Sequence, residues 1–189
     1  MTDDGLPGLA ADLGLPGIFD VHAHFMPDRM QEAVWAHFDE LLDPPWPIRY
    51  RFDEDERMAT LPKLGIIRHT ALAYAHRPAV AAWLNDHTLA LAARHPQVVP
   101  TFTLYPEPEA PEYVAAALAA GGRCVKVHLQ VGKFRLTDPL LTEAWSALER
   151  AGTSCSTSGP WTTAPAARSS ATRPSSGGCW SATPTCGRW

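Results

Sequence analysis

The chain has 189 residues, 46% hydrophobic and 19% charged, with a formal net charge of −4. That balance suits a globular protein with a small-molecule substrate and argues against nucleic acid or an anionic membrane as its main partner. The acidic start, Met1-Thr2-Asp3-Asp4, lacks signal-peptide character, and no stretch approaches the roughly 20 apolar residues of a bilayer span, so the expected compartment is the cytoplasm.

Ile18 to His24 reads as a first strand. Residues 28–52 read as a loop-rich insertion with one amphipathic stretch (Met30, Val34, Phe38, Leu41, Leu42) and a break at Pro44-Pro45-Trp46-Pro47. Asp53 to Leu64 reads as a helix capped by Asp53 with Glu56 three positions on, and Pro62 should end it early. Gly65 to Tyr74 carries a second strand centred on Thr70–Tyr74.

Pro78 to His95 is the strongest helical pattern, with Val80, Trp83, Leu84, Leu91 and Ala92 at helical spacing. Val98 to Leu104 is a third strand, Glu109 to Ala120 an alanine-rich helix stopped by Gly121-Gly122, and Arg123 to Val131 a fourth strand. A last helix starts at Thr137-Asp138-Pro139 and ends at Gly152. Strands alternate with helices throughout, the pattern of an α/β fold with a parallel sheet. An eight-stranded (β/α) barrel takes about 250 residues, so residues 1–150 amount to roughly its N-terminal half, strands one to four.

Composition breaks at residue 151. From there to Trp189 the chain uses only Ser, Thr, Ala, Gly, Pro, Cys, Trp and Arg. All 20 acids and all eight histidines precede the break, leaving the first 150 residues at −7 and the tail at +3. Without branched aliphatics the tail cannot bury enough surface to offset its ordering entropy, so residues 151–189 should be disordered. Three Trp and three Cys fit a linker badly, and a reading-frame slip near Gly152 explains them better. Recombining neighbouring codons over residues 153–159 permits two apolar residues, Leu or Phe, then one of Tyr, His, Asn or Asp. That is a buried strand ending in a candidate metal ligand. Resequencing the codons for Arg150 to Ser154 tests this, and a clean frame shared by independent isolates would sink it.

Chemistry concentrates at the strand ends. In an extended strand, Asp20, His22 and His24 share one face while Phe19, Val21 and Ala23 share the other. Two imidazoles one strand pitch apart can grip one divalent cation, so His22 and His24 are the candidate metal ligands. Asp20 either orients an imidazole or is a buried, satisfied acid. In the fourth strand Val125, Val127 and Leu129 share one face and Cys124, Lys126, His128 and Gln130 the other. In a barrel the second set points inward, which makes Lys126 and His128 candidates for substrate binding, proton transfer or metal contact. His76, Arg77, Tyr105 and Glu107 follow strand ends and are weaker substrate-contact candidates. Cys124 reads as a small core residue, since no activating partner accompanies it.

Phe19-Asp20-Val21-His22-Ala23-His24-Phe25-Met26-Pro27 resembles the first-strand motif of the amidohydrolase superfamily. The resemblance is nearest to the amidohydrolase-related branch containing aminocarboxymuconate-semialdehyde decarboxylase-like enzymes. Arg94-His95-Pro96-Gln97-Val98-Val99-Pro100, Leu104-Tyr105-Pro106-Glu107 and Val125-Lys126-Val127-His128-Leu129-Gln130 extend it over residues 17–150. It implies a (β/α)8 barrel binding one or two divalent metals, commonly zinc, with His22 and His24 as two ligands. Further ligands in that family follow strands five, six and eight, and none has a match in this sequence. The implied activity is metal-assisted hydrolysis, or decarboxylation, of a small organic substrate, with homo-oligomerisation possible in an intact member. Two other readings stand beside it: a phosphoesterase of the histidinol-phosphatase kind, which also opens on His-x-His, and a truncated chain without activity.

Overall fold

The computed structural model describes residues 3–41 and 47–158. Among the described residues six strands carry the wall: β1 (Ile18–Asp20), β2 (Ile66–Thr70), β3 (Val98–Val99), β4 (Thr101–Thr103), β5 (Cys124–His128) and β6 (Ser154–Ser158). They form two three-stranded sheets, ordered β1-β2-β3 and β4-β5-β6, and every pairing is parallel. Seven α-helices accompany them among the described residues: α1 (Leu6–Asp12), α2 (Asp28–Leu41), α3 (Glu54–Lys63), α4 (Ala81–Arg94), α5 (Ala110–Ala119), α6 (Leu129–Gly132) and α7 (Thr142–Ala151). Parallel strands require long crossovers, and α3, α4, α5 and α7 supply them.

The expected third strand is cut in two by Pro100, which has no N–H to offer a ladder. Its carbonyl still accepts from the Arg123 and Cys124 amides at 2.8 and 3.3 Å. Threonine hydroxyls bridge the resulting break. Thr101 Oγ1 and Thr103 Oγ1 each accept a backbone N–H, from Ala71 and Ala75 respectively, at 3.3 Å. Thr103 Oγ1 also donates to the Lys126 carbonyl at 2.8 Å, and Asn85 pairs with the Thr103 backbone through both its amide atoms. Buried peptide groups that lost a ladder partner thus find a side chain instead.

Alternation on β5 sorts the residues as the sequence indicates. Val125 and Val127 are fully buried among Phe102, Leu104, Val114 and Leu148, between the sheet and helices α5 and α7. Gly122 lets α5 close on β4, because a Cβ there would lie 2.7 Å from the Phe102 ring and 2.8 Å from the Ala117 carbonyl. Smaller clusters around Phe25, Met58, Leu91 and Val98, and around Met26, Ala73 and Leu84, fix the first sheet to α2, α3 and α4.

Several boundaries differ from expectation for identifiable reasons. The first strand stops at Asp20, and the chain turns through Val21-His22 before His24 rejoins the sheet by a bridge to Leu72. β5 ends at His128, where the imidazole caps the short α6, so Leu129 and Gln130 leave the strand. Pro62 sits in the last turn of α3 and does not shorten it, since the helix ends at Lys63 in any case. The helix α1 carries no periodicity strong enough to have announced it. Chain order also persists past the composition break: α7 runs to Ala151, Gly152 caps it with φ 62°, and β6 follows as a paired strand. The expectation of a structureless tail is therefore corrected for residues 151–158. Backbone pairing to β5 supplies what the side chains of Ser154–Ser158 do not. Residues 159–189 lie outside the described residues.

Candidate functional site

A cavity of about 440 Å³ opens where the C-terminal ends of β1, β5 and β6 meet α2 and α3. Asp20, His22, His24, Tyr74, His128 and Ser158 line its polar side. Trp35, Phe38, Tyr50 and Leu61 supply much of the apolar wall. The structure thus gathers the two candidate metal ligands and His128 from strands far apart in sequence.

His24 is held most tightly. The Leu72 amide donates to the Ala23 carbonyl at 2.8 Å, which pins the backbone, and His24 Nδ1 lies 3.0 Å from the Leu72 carbonyl oxygen. A carbonyl only accepts, so Nδ1 carries the proton and Nε2 keeps its lone pair. Burial, followed by the neighbouring His22, lowers the His24 pKa to about 4. His22 stands beside it with ring centroids 5.0 Å apart and is more exposed. Its pKa falls through burial and the Lys126 charge, against the opposing pull of Asp20. Asp20 accepts the His22 backbone N–H at 2.9 Å, so its bond shapes the turn rather than an imidazole.

The Tyr74 ring contacts two of the imidazoles, at 5.8 Å from His24 and 4.8 Å from His128. Burial raises the Tyr74 pKa and keeps its phenol protonated. His128 Nδ1 accepts the Val131 N–H at 3.4 Å, which leaves the proton of the neutral ring on Nε2. Burial and then Lys126 lower its pKa as well. Lys126 is wholly buried beneath this group, and its ammonium donates to Ser158 Oγ. Desolvation lowers its pKa, partly offset by Cys124 and Cys155.

Arg57 had no signal in the sequence, because an arginine among the acids opening a helix reads as solvated. It is buried, donates from Nη1 to the His24 carbonyl at 3.0 Å and to Gln31 at 3.3 Å, and lies 4.7 Å from the Phe25 ring centroid. It therefore positions the segment that carries His24. Tyr74 and Ser158 were missed for a different reason: only the pairing of strands distant in sequence brings them to the cavity. The weaker candidates are not at the cavity. His76 and Arg77 are exposed, Tyr105 donates to the Gly132 carbonyl at 3.2 Å, and Glu107 accepts the Ala79 N–H at 2.6 Å. Ala79 has φ 61°, so Glu107 steadies a strained turn.

Two neutral imidazoles suit a borderline-soft cation such as Zn²⁺ in donor type. They fall short in number. Among the described residues, no group of three or more His, Cys, Asp or Glu is arranged to hold a metal ion.

No family model and no curated protein matches the chain. Solved structures do. A crystal structure described as amidohydrolase II aligns with a TM-score of 0.57 at 18% identity, covering 74% of this chain and 49% of its own. The chain shares the fold of that protein. The 5-carboxyvanillate decarboxylase of Sphingomonas paucimobilis aligns with a TM-score of 0.54 at 16% identity, covering 74% of this chain and 51% of its own. This chain spans about half the length of the structures it matches, consistent with the partial barrel expected from its strand count. No helix among the described residues is long and apolar enough to cross a membrane.

Proposed function

We propose that this cavity is half of the active site of a metal-dependent hydrolase or decarboxylase of the amidohydrolase-related kind, nearest the aminocarboxymuconate-semialdehyde decarboxylase-like enzymes. The observation that carries the reading is the His22–His24 pair, with His24 Nδ1 committed to the Leu72 carbonyl and Nε2 free to ligate. A second hydrogen bond of this kind is how proteins orient metal-binding imidazoles. His22 and His24 would hold the divalent cation, zinc foremost. Such a cation, when bound, acidifies a water to a pKa near 7 and polarises a carbonyl or carboxylate oxygen.

The chain's own residues define the rest. The aromatic wall of Trp35, Phe38 and Tyr50 takes the apolar body of a small organic substrate and excludes water from it. His128 presents an Nε2–H and Tyr74 a protonated phenol, two donors for a substrate oxygen. Lys126 adds positive charge beneath them, which favours an anionic substrate. With two protein ligands instead of the three usual at a catalytic zinc, the described site should bind metal weakly.

Zinc titration by calorimetry, with thiols blocked, tests the assignment. His22 is exposed, so His22→Ala leaves the fold intact as judged by circular dichroism. The expected result is one weak zinc site in the native chain that this variant loses. Equal zinc uptake by both proteins, or none by the native chain, refutes the metal assignment.

A further inference from the structure

We propose that residues 47–52 are a removable strap across the apolar end of the cavity, latched through Tyr50 to Asp3 and through Arg51 to Asp39, and that its release opens that end to solvent. The strap's role rests on the reading of this cavity as a substrate site, but the latch itself needs no metal.

The argument begins with what holds the segment. Residues 47–52 are neither helix nor strand, and among the described residues no backbone hydrogen bond ties them to another element. Ile48 and Tyr50 line the cavity, while Arg49 and Arg51 are exposed. Side chains do the holding. The Tyr50 hydroxyl donates to Asp3 Oδ2 at 2.6 Å, with Arg49 3.9 Å from the same oxygen. Arg51 donates from both Nη atoms to the two oxygens of Asp39, at 2.7 and 2.5 Å.

Both posts belong to anchored elements. Asp39 lies near the end of α2, one helical turn beyond Trp35, so a single helix carries the latch and part of the apolar wall. Met30 and Val34 pack that helix on the Met26, Ala73 and Leu84 cluster, and its buried Gln31 accepts from Arg57. Asp3 stands just ahead of α1, which closes on the start of β2: a Cβ at Gly65 would lie 3.3 Å from Pro7 Cα. The strap is the weak link between firm posts. Every partner in its ion pairs is more than a third exposed, and exposed pairs are individually weak and screened by salt. Local opening occurs where no protected backbone bonds resist it. Loops of this kind admit a ligand and then exclude water from it, while the strands and helices around them stay in place.

Hydroxyl-radical footprinting in EDTA, read by peptide mass spectrometry, tests the latch. Trp35 reports the cavity wall, and Trp83, exposed on α4, is the control. Arg51 is absent from the cavity lining, and Arg51→Gln removes its charge while leaving a polar side chain. The expected result is Trp35 oxidised about two- to fivefold faster relative to Trp83 in this variant, the range that loss of one exposed ion pair allows. The native chain should show the same trend between low and high salt, an arm that needs no substitution. A Trp35 to Trp83 ratio unmoved by both perturbations overturns the proposal. Equal acceleration at the two tryptophans also overturns it, because it reports general loosening instead of a strap. The zinc titration uses His22→Ala and no strap residue, so failure of the latch leaves the His22–His24 assignment standing and the reverse also holds.

Discussion

Acidification should destabilise the metal-free protein through His24. Its pKa falls from 6.5 to about 4 on folding, because burial penalises the imidazolium and His22 adds to the penalty. A histidine held neutral by folding binds its proton more weakly than in the unfolded chain. Between the two values the unfolded state therefore takes up more protons, and stability rises with pH. The contribution is complete above pH 6.5 and is lost as the pH falls towards 4. At about 1.4 kcal/mol per unit, this shift corresponds to about 3 kcal/mol. That is a large share of the 5–15 kcal/mol typical of a domain. The assay is urea unfolding in EDTA at several pH values between 4 and 7, for the native chain and for His24→Asn. Asparagine keeps a donor near Leu72 but does not titrate. His69 and His87 are shifted in the same direction and act equally in both proteins, while His22 and His128 interact with His24, so the difference reports His24 together with its coupling to them. The two stability curves should converge on acidification by about 3 kcal/mol. Parallel curves would refute the burial of a neutral His24 against Leu72.

Three substitutions test the wall behind the site. Gly122→Ala forces a Cβ to within 2.7 Å of the Phe102 ring and 2.8 Å of the Ala117 carbonyl, and should destabilise by about 1–3 kcal/mol in chemical denaturation. Thr103→Val strands the Ala75 N–H and removes the donor to the Lys126 carbonyl, at a cost of about 1–3 kcal/mol, with faster hydrogen exchange at Ala75 as the local signature. Asp53→Ala removes the side chain that accepts the Glu56 N–H at 2.8 Å at the start of α3. It should cost about 1 kcal/mol, and a smaller loss than Gly122→Ala is the expected ranking.

Element type was largely legible before the structure. The alternation of Val125 and Val127 with Cys124, Lys126 and His128 announces which face of β5 packs on helices, and the structure keeps that assignment. Asp53 and Glu56 announce the start of α3, because capping is a matter of a few neighbouring atoms. Boundaries were less legible where a side chain competes with the ladder. Asp20 bonds the His22 amide and turns the chain, and His128 caps α6 and ends β5. Pro100 breaks a strand whose side-chain pattern runs straight through it.

The sequence by itself determined the α/β order and the inward face of β5, since each depends on residues close along the chain, whereas His22 and His24 stand together through a turn after Asp20 and not on the strand face that alternation predicted. Only the tertiary structure decided which groups face those histidines. Tyr74, Arg57 and Ser158 come from other elements, and their arrival depends on long-range pairing and packing that no local pattern encodes. The same holds for β6. Its serines and threonine carry no burial signal, yet backbone hydrogen bonding to β5 makes Ser154–Ser158 a strand and sets Ser158 over Lys126. Backbone pairing is indifferent to side-chain polarity, which is why composition alone could not foresee it.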